Sequence, residues 1–411
     1  MRITPFLRLV CTCLLATLAA AGAGCAWAEA RAATPIIAAA VAVESDGAKT
    51  RFKITLSNPV TAQAYLMERP DRLIVDLPEV AFHLPPDTGR KREGLIASYR
   101  YGLFAPGRSR VVMDLAQPAV VSAISTEPNA PGGATILVIE LSRADREEFR
   151  RAVAETSGGS KAAPEPPVSK EVADTRPVIM IDPGHGGIDP GAAAHSGVVE
   201  KDLVLSFANL LKARLEAQGR YRVLMTRDQD VFVSLGDRVR AARTAKADLF
   251  ISIHADSISG GQDVRGLTVY TGSERASDAD SARLADRENK ADAAAGVESV
   301  DGPDEVMDIL QDLTLRETRT FSHSFAARLV GELDSVARLN KNPRREAGFR
   351  VLRAHDVPSV LVELGYLSSQ KDLDLLTSDE WRGKMVSAMA VAIERFFSTR
   401  LARQGAAAVL P

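Results

Sequence analysis

The chain is poor in cysteine: Cys11, Cys13 and Cys25 are the only three in 411 residues, and all lie at the extreme N-terminus. A chain that has lost its first 28 residues would have no disulfide, no thiolate nucleophile and no thiolate metal ligand. Any metal site must then be built from His, Asp and Glu. An excess of charge is also lacking. Lys and Arg number 51 against 53 Asp and Glu, a net charge of −2. Nothing in that balance calls for nucleic acid or an anionic membrane as partner.

The N-terminus lacks several other things. Arg2 and Arg8 precede an apolar run over residues 9–23, which is too short for a comfortable membrane span. Ala26-Trp27-Ala28 then offers a small-x-small cleavage site, completing a secretory signal over residues 1–28. The alternative is an N-terminal membrane anchor. No adjacent Arg-Arg pair occurs here, which favours the general secretory route over the twin-arginine route. Gly22, Ala23 and Gly24 precede Cys25, so the larger aliphatic residue of a lipoprotein box is missing. The expectation is a periplasmic protein with no stable membrane span after cleavage.

Residues 36–142 predict a small all-β sandwich. Phe52, Ile54 and Leu56 alternate with polar residues, the period of a half-buried strand. Comparable runs at 72–77, 95–101, 110–115, 119–124 and 135–141 are punctuated by Pro and Gly turns. No catalytic cluster is visible there, and His83 is a lone surface histidine. Residues 143–176 are charged, then rich in Gly, Pro and Ala, and predict a flexible linker.

From Pro177 to about residue 399 the pattern is α/β: a mostly parallel sheet flanked by helices. Strands are expected at 178–181, 222–225, 249–253, 267–270, 349–352 and 359–362. Leu203, Phe207, Leu210, Leu211 and Leu215 share one helical face, with Gly219 at the C-terminal cap position. Ser234 and Asp237 form a capping pattern before Leu235, Val239 and Ala242. A segment at about 272–312, rich in Ala, Asp and Glu, interrupts the alternation as an insertion. Residues 400–411 are a C-terminal tail.

The chemistry concentrates at the expected strand ends. Asp182-Pro183-Gly184-His185-Gly186-Gly187 turns tightly after a buried strand and leaves His185 at its C-terminal edge, where ligands of open α/β sheets gather. Glu200 opens a helix fifteen residues on. His254 closes one strand and Glu363 another. Two imidazoles and a carboxylate suffice to hold zinc with one position open for water. Each residue alone has an ordinary structural reading: an exposed histidine, a helix-start glutamate, a paired buried carboxylate. Of the other histidines, His195 and His355 are loop residues that could face the cleft, and His323 lies on a helix.

Four blocks together are specific: Asp182 to Gly187, Glu200-Lys201, Ser252-Ile253-His254-Ala255-Asp256 and Val362-Glu363-Leu364-Gly365-Tyr366-Leu367-Ser368. In this order they resemble the zinc-dependent N-acetylmuramoyl-L-alanine amidases of bacterial cell division, over roughly residues 177–398. The resemblance implies one zinc per chain held by His185, Glu200 and His254, with Glu363 as the catalytic carboxylate. It implies peptidoglycan as substrate, cut between N-acetylmuramic acid and L-alanine during septal wall splitting. Residues 72–78 and 110–115 resemble the AMIN module that often precedes these enzymes, implying peptidoglycan binding and septal targeting. Another zinc cell-wall peptidase, or a non-catalytic wall-binding protein, are the alternatives.

The resemblance also implies autoinhibition. Residues 281–295 predict a helix carrying Asp286, Glu288 and Asp292, and Val306, Ile309, Leu310 and Leu313 give the next segment an apolar face. In the family an insertion here includes a helix whose glutamate can take the open zinc position; Glu288 is the expected plug, with Asp286 and Asp292 as alternatives. A LytM-type periplasmic activator is the implied partner, favouring an open state.

Overall fold

The structure, a computed structural model, describes residues 35–85, 88–128, 134–156, 174–257, 265–297 and 309–407. The expected signal, residues 157–173 of the expected linker and Val306 lie outside these residues. So do the side chains of Ile309, Leu310 and Leu313.

The front of the chain folds as two packed sheets, antiparallel throughout except where β1 pairs with β5. Strands β1 (Ile36–Ser45), β2 (Lys49–Leu56), β3 (Gln63–Met67), β4 (Arg72–Pro78), β5 (Val80–Phe82), β6 (Ile96–Ala105), β7 (Arg108–Leu115), β8 (Ala119–Pro128) and β9 (Thr135–Arg143) supply them. One sheet runs β5-β1-β2-β9-β8, the other β3-β4-β7-β6. Their facing sides make one core, in which Phe52, Ile54, Leu73, Val75, Val111 and Met113 are buried.

The expected linker begins later than residue 143. Helix α1 (Arg146–Thr156) follows β9 directly and drives Phe149 into the sandwich core. The charged composition there is that of an amphipathic surface helix with one anchoring aromatic, which a composition-based reading takes for a tether.

The second part contains β10 (Val178–Pro183), α2 (Glu200–Glu216), β11 (Arg222–Met225), α3 (Leu235–Thr244), β12 (Leu249–His254), β13 (Leu267–Gly272), α4 (Ala279–Glu288), α5 (Ala291–Ala294), α6 (Ile309–Leu333), β14 (Leu339–Ala347), β15 (Ser359–Glu363), α7 (Gln370–Leu376) and α8 (Asp379–Ala407). Its sheet has the order β11-β10-β12-β15-β13-β14. All its pairings are parallel except β13 with β15. Alternate residues of β10 face opposite layers: Ile179 and Ile181 pack toward α2, α6 and α8, while Val178 and Met180 pack toward α3 and α4. A sheet covered on both faces explains the unbroken apolar runs.

Two expectations are corrected. The strand predicted at 349–352 is instead a short 3₁₀ turn, Arg350–Leu352, and the strand lies just before it as β14. β14 is an edge strand that pairs only with β13 and is rich in Asn, Lys and Arg, so it lacks the apolar run used to find strands. The predicted tail is helical as far as Ala407, within α8. The cap on α3 forms as expected, with the Ser234 hydroxyl accepting from the Asp237 N–H.

Candidate metal centre and active site

Three parallel strands deliver the chemistry to one edge. β12 ends at His254 and β15 at Glu363, and the two are register partners. β10 ends at Pro183, two residues before His185. His185 itself has a φ of 57°, a left-handed conformation that costs a non-glycine residue and clusters at functional sites. Two buried arginines hold that turn. Arg238 donates to the carbonyls of Pro183, at 2.8 Å, and His185, at 2.7 Å, and Arg227 donates to that of Gly184 at 2.8 Å. Beneath it, Asp182 is fully buried and accepts from Arg238 (2.6 Å), Ser252 (2.6 Å) and Thr226 (2.6 Å).

Glycine is required at two points by close approach. A Cβ on Gly184 would lie 2.3 Å from the His254 ring, and one on Gly191 would lie 2.6 Å from the His185 ring and 2.7 Å from Glu200 Oε2. The imidazoles can therefore sit against backbone.

Glu200 is the first residue of α2 and is fully buried. Its Oε1 accepts from the Ala255 N–H at 2.9 Å and its Oε2 from the Ala192 N–H at 2.9 Å. Oε1 also stands 3.3 Å from His185 Nε2 and 3.2 Å from His254 Nδ1. Opposite it, Glu288 Oε2 lies 3.5 Å from the same His185 nitrogen and 3.4 Å from the same His254 nitrogen. Among the described residues, His185, His254 and Glu288 offer ligand atoms all within 4.8 Å of one another.

The donor types and the spacing of the nitrogen and oxygen atoms fit a small cation such as zinc. Ligand bonds of about 2.0–2.1 Å, typical of zinc, give a tetrahedron with edges of roughly 3.3 Å. The four nitrogen–oxygen separations cluster around that value, and only the His254 Nδ1–Glu200 Oε1 contact, at 3.2 Å, is also a hydrogen bond. His185 Nε2 is buried and makes no hydrogen bond. Its other nitrogen, Nδ1, is 2.8 Å from Asp189 Oδ2, the carboxylate–histidine arrangement that orients a metal ligand.

Electrostatics follow from crowding carboxylates in a dry site. Burial disfavours charge on Glu200, but His185 and His254 reverse this and hold its carboxyl well below the usual range. Burial would likewise lower His185, yet Glu200, Asp189 and Glu288 raise it well above the ordinary imidazole value. Glu363 has no such partner. Burial raises it, and Asp256, Glu200 and Glu288 raise it further. Its Oε2 accepts from the Asp256 N–H at 3.1 Å, while Oε1 is buried without a hydrogen bond. Asp256 is pushed up to about 7 by burial and by Glu200 and Glu288.

The insertion closes the site. α4 buries Ser281, Leu284, Ala285 and Glu288 along one face. Arg287 reaches Asp256 at 2.7 Å and the Ser257 carbonyl at 2.9 Å. The helix expected over 281–295 is two helices, broken at Asn289, whose side chain bonds the backbone of Gly348 and Arg350. Asp292 accepts from the Leu235 N–H at the start of α3, and Asp286 is exposed and pairs with Lys290. Of the three acidic candidates, only Glu288 meets the histidines. The space left beside His185, His254 and Glu288 is about 10 Å³, room for roughly one water.

The remaining histidines stay apart from this site. His195 is exposed, His323 is half-exposed beside Thr271 and Glu346, and His355 contacts Arg243. Three residues missed in the sequence matter here, Asp189, Arg227 and Arg238, together with Asp182, which opens the first block but had no role assigned. Asp189 had a visible trace, an acid four residues after a candidate ligand in a Gly-rich turn. The buried arginines had none, since arginine in a sequence normally marks surface.

Two imidazoles and buried carboxylates at the C-terminal edge of a mostly parallel sheet make a centre able to hold a divalent metal, the class used by many amide hydrolases. Comparison with known proteins narrows the class. Residues 179–395 match the family described as N-acetylmuramoyl-L-alanine amidase, and residues 40–142 match the AMIN domain. The N-acetylmuramoyl-L-alanine amidase AmiC of Neisseria meningitidis serogroup B is 33% identical over 373 residues, 87% of this chain and 89% of that protein. The AmiC of Escherichia coli is 30% identical over 387 residues, covering 89% and 91%. A solved structure, the amidase AmiC2 of Nostoc punctiforme, aligns with a TM-score of 0.38 at 30% identity, over 55% of this chain and 99% of that one. The chain belongs to the N-acetylmuramoyl-L-alanine amidase family, with an AMIN domain in front. It is an amidase acting on peptidoglycan. Among the described residues no helix is long and apolar enough to cross a membrane.

Proposed function

We propose that this chain is a zinc-dependent N-acetylmuramoyl-L-alanine amidase whose metal is held by His185, Glu200 and His254 and whose base is Glu363. The observation that carries the reading is the set of near-equal distances from Glu200 and Glu288 to His185 Nε2 and His254 Nδ1. When bound, zinc supplies a Lewis acid that polarises the scissile carbonyl and lowers the pKa of water. Asp189 fixes the His185 tautomer so that Nε2 faces the centre. The backbone N–H groups of Ala192 and Ala255 aim Glu200.

Glu363 does the proton work. Its Oε1, free of hydrogen bonds, takes a proton from the attacking water and passes it to the departing alanine nitrogen. The N–H of Asp256 holds the other oxygen, so the carboxylate cannot swing away. Its raised pKa suits such a shuttle, and withdrawal of Glu288 removes one of the charges that raise it. Transfer of this kind contributes typically ~10²–10⁴ in rate.

In this reading the enzyme is made closed. Glu288 takes the fourth corner, and the residual space admits no glycan strand. Export by the segment 1–28 places the chain in the periplasm, the AMIN domain directs it to septal peptidoglycan, and a LytM-type protein opens it. Mass spectrometry of muropeptides released from purified sacculi tests the reaction. The expected products are stem peptides with a free L-alanine amino group and peptide-free glycan. Cleavage within the stem peptide would identify a different cell-wall peptidase.

A further inference from the structure

The outer face of the sheet β3-β4-β7-β6 is not solvated. Register puts Arg72 opposite Asp114, Ile74 opposite Val112 and Asp76 opposite Arg110, with Tyr65 and Met67 on β3 facing Ile74 and Arg72. These residues point away from the sandwich core, yet Ile74, Val112 and Arg110 are completely buried. A sheet face on which apolar side chains are completely buried among paired charges has a cover. The cover is the second part of the chain: Ile188, Phe232 and Ala295 join Tyr65, Ile74 and Val112 in one cluster.

Three guanidinium groups on that face meet the end of the inhibitory segment. Arg72 donates to the Ala293 carbonyl, Arg100 to that of Ala294 at 2.7 Å, and Arg110 to those of Ala295 at 3.1 Å and Gly296 at 3.3 Å. These are consecutive carbonyls at and just beyond the C-terminal end of the short helix α5, where backbone acceptors lack a full set of helical partners. Each arginine is aimed by a carboxylate of its own sheet. Asp114 holds Arg72 at 2.6 Å and Arg100 at 2.8 Å, and Asp76 grips Arg110 with both oxygens, at 2.5 and 2.9 Å. Arg110 also stacks 3.4 Å from the Phe104 ring centroid. Gly296, with a φ of 71°, lies so close that a Cβ there would sit 2.3 Å from Ile74 Cδ1.

We propose that the AMIN domain is an intramolecular clamp on the inhibitory segment: Arg72, Arg100 and Arg110 hold the carbonyl end of α5 and so keep Glu288 in the metal site. The proposal rests on the plug reading given above and deepens it. Glu288 ends α4 and is only three residues before α5, so the carbonyls held by the arginines are close in sequence to the plug. Departure of the segment strands three arginine donors and exposes Ile74 and Val112, so closure is favoured by both domains at once. An activator must therefore break two sets of contacts, or a ligand that takes the AMIN arginine face must compete with the carbonyls of residues 293–296.

The test uses the full-length chain without activator. Gly296→Val pushes the segment off Ile74 while leaving every AMIN residue unchanged, and Arg100→Ala removes one partly exposed clamp donor. Glu288→Ala is the reference for an open site. Hydrogen exchange over residues 279–297 should accelerate roughly tenfold or more in both clamp variants, the scale of losing one charge-assisted hydrogen bond. Protection of β2, β4 and β7 should be unchanged, showing an intact front domain. Basal release of dye-labelled peptidoglycan should rise in both variants toward the Glu288→Ala rate. Unchanged exchange over 279–297 in both variants overturns the clamp. Faster exchange with wild-type turnover, while Glu288→Ala is active, also overturns it, because the contact would then not govern the plug. If Glu288→Ala itself stays at the wild-type rate, the plug reading has failed and the clamp falls with it.

Discussion

His254 and Glu363 are register partners on adjacent parallel strands, β12 and β15. One is a proposed metal ligand and the other the proposed base, and their spacing is set by backbone hydrogen bonds rather than by a loop. A slip of one residue would turn either side chain to the opposite face of the sheet. That rigidity underlies the predictions that follow.

The metal should depend on both imidazoles. Purified chain should carry one zinc, and His185→Ala or His254→Ala should lose most of it by elemental analysis. Stoichiometric zinc in both variants would refute the ligand assignment.

Asp189 acts through His185. Asp189→Asn keeps the side chain's size but weakens its hold on Nδ1. Zinc affinity should fall ~10–100-fold, the range for such orienting groups. Competition against a chelator measures it, and an unchanged affinity would leave Asp189 without this role.

Asp182 should make the fold acid-sensitive. Burial opposes its charge, but Arg238, Ser252 and Thr226 more than offset this, and its pKa lies below the usual value. The unfolded chain therefore binds the proton at higher pH than the folded one. Stability from this group is fully present above about pH 4 and is lost as pH falls through the folded pKa. Asp182→Asn breaks a buried ion pair and should cost about 3–5 kcal/mol by urea unfolding at neutral pH. A loss below about 1 kcal/mol would mean that the pair is replaceable.

Among the acidic residues of the insertion, only Glu288 should matter as a plug. Glu288→Ala should raise activator-free turnover, whereas Asp286→Ala, on an exposed residue paired to Lys290, should not. Equal effects from both would point to general loosening of α4.

Much of this was legible in the sequence, for stated physical reasons. His185, Glu200, His254 and Glu363 stand at strand ends or a helix start, and the structure brings all four to one sheet edge. Period-two alternation located β2, and unbroken apolar runs located β10, β12 and β15. β14 escaped because a polar edge strand carries no such run. α1 escaped because its single anchor, Phe149, is outweighed by charge. The interdomain clamp was not legible: Arg72-Leu73-Ile74-Val75-Asp76-Leu77 alternates, with Leu73, Val75 and Leu77 on one face and Arg72, Ile74 and Asp76 on the other, the pattern of an ordinary sandwich strand with one wet side. Arginines whose partners are backbone carbonyls some 200 residues away leave no local trace.

The most direct measurement is zinc content and turnover of Glu363→Gln in an activated or Glu288→Ala background. The substitution keeps shape and removes the base. The expected result is one zinc per chain with peptidoglycan hydrolysis reduced by at least ~10². Hydrolysis at the parental rate with zinc bound would contradict the account.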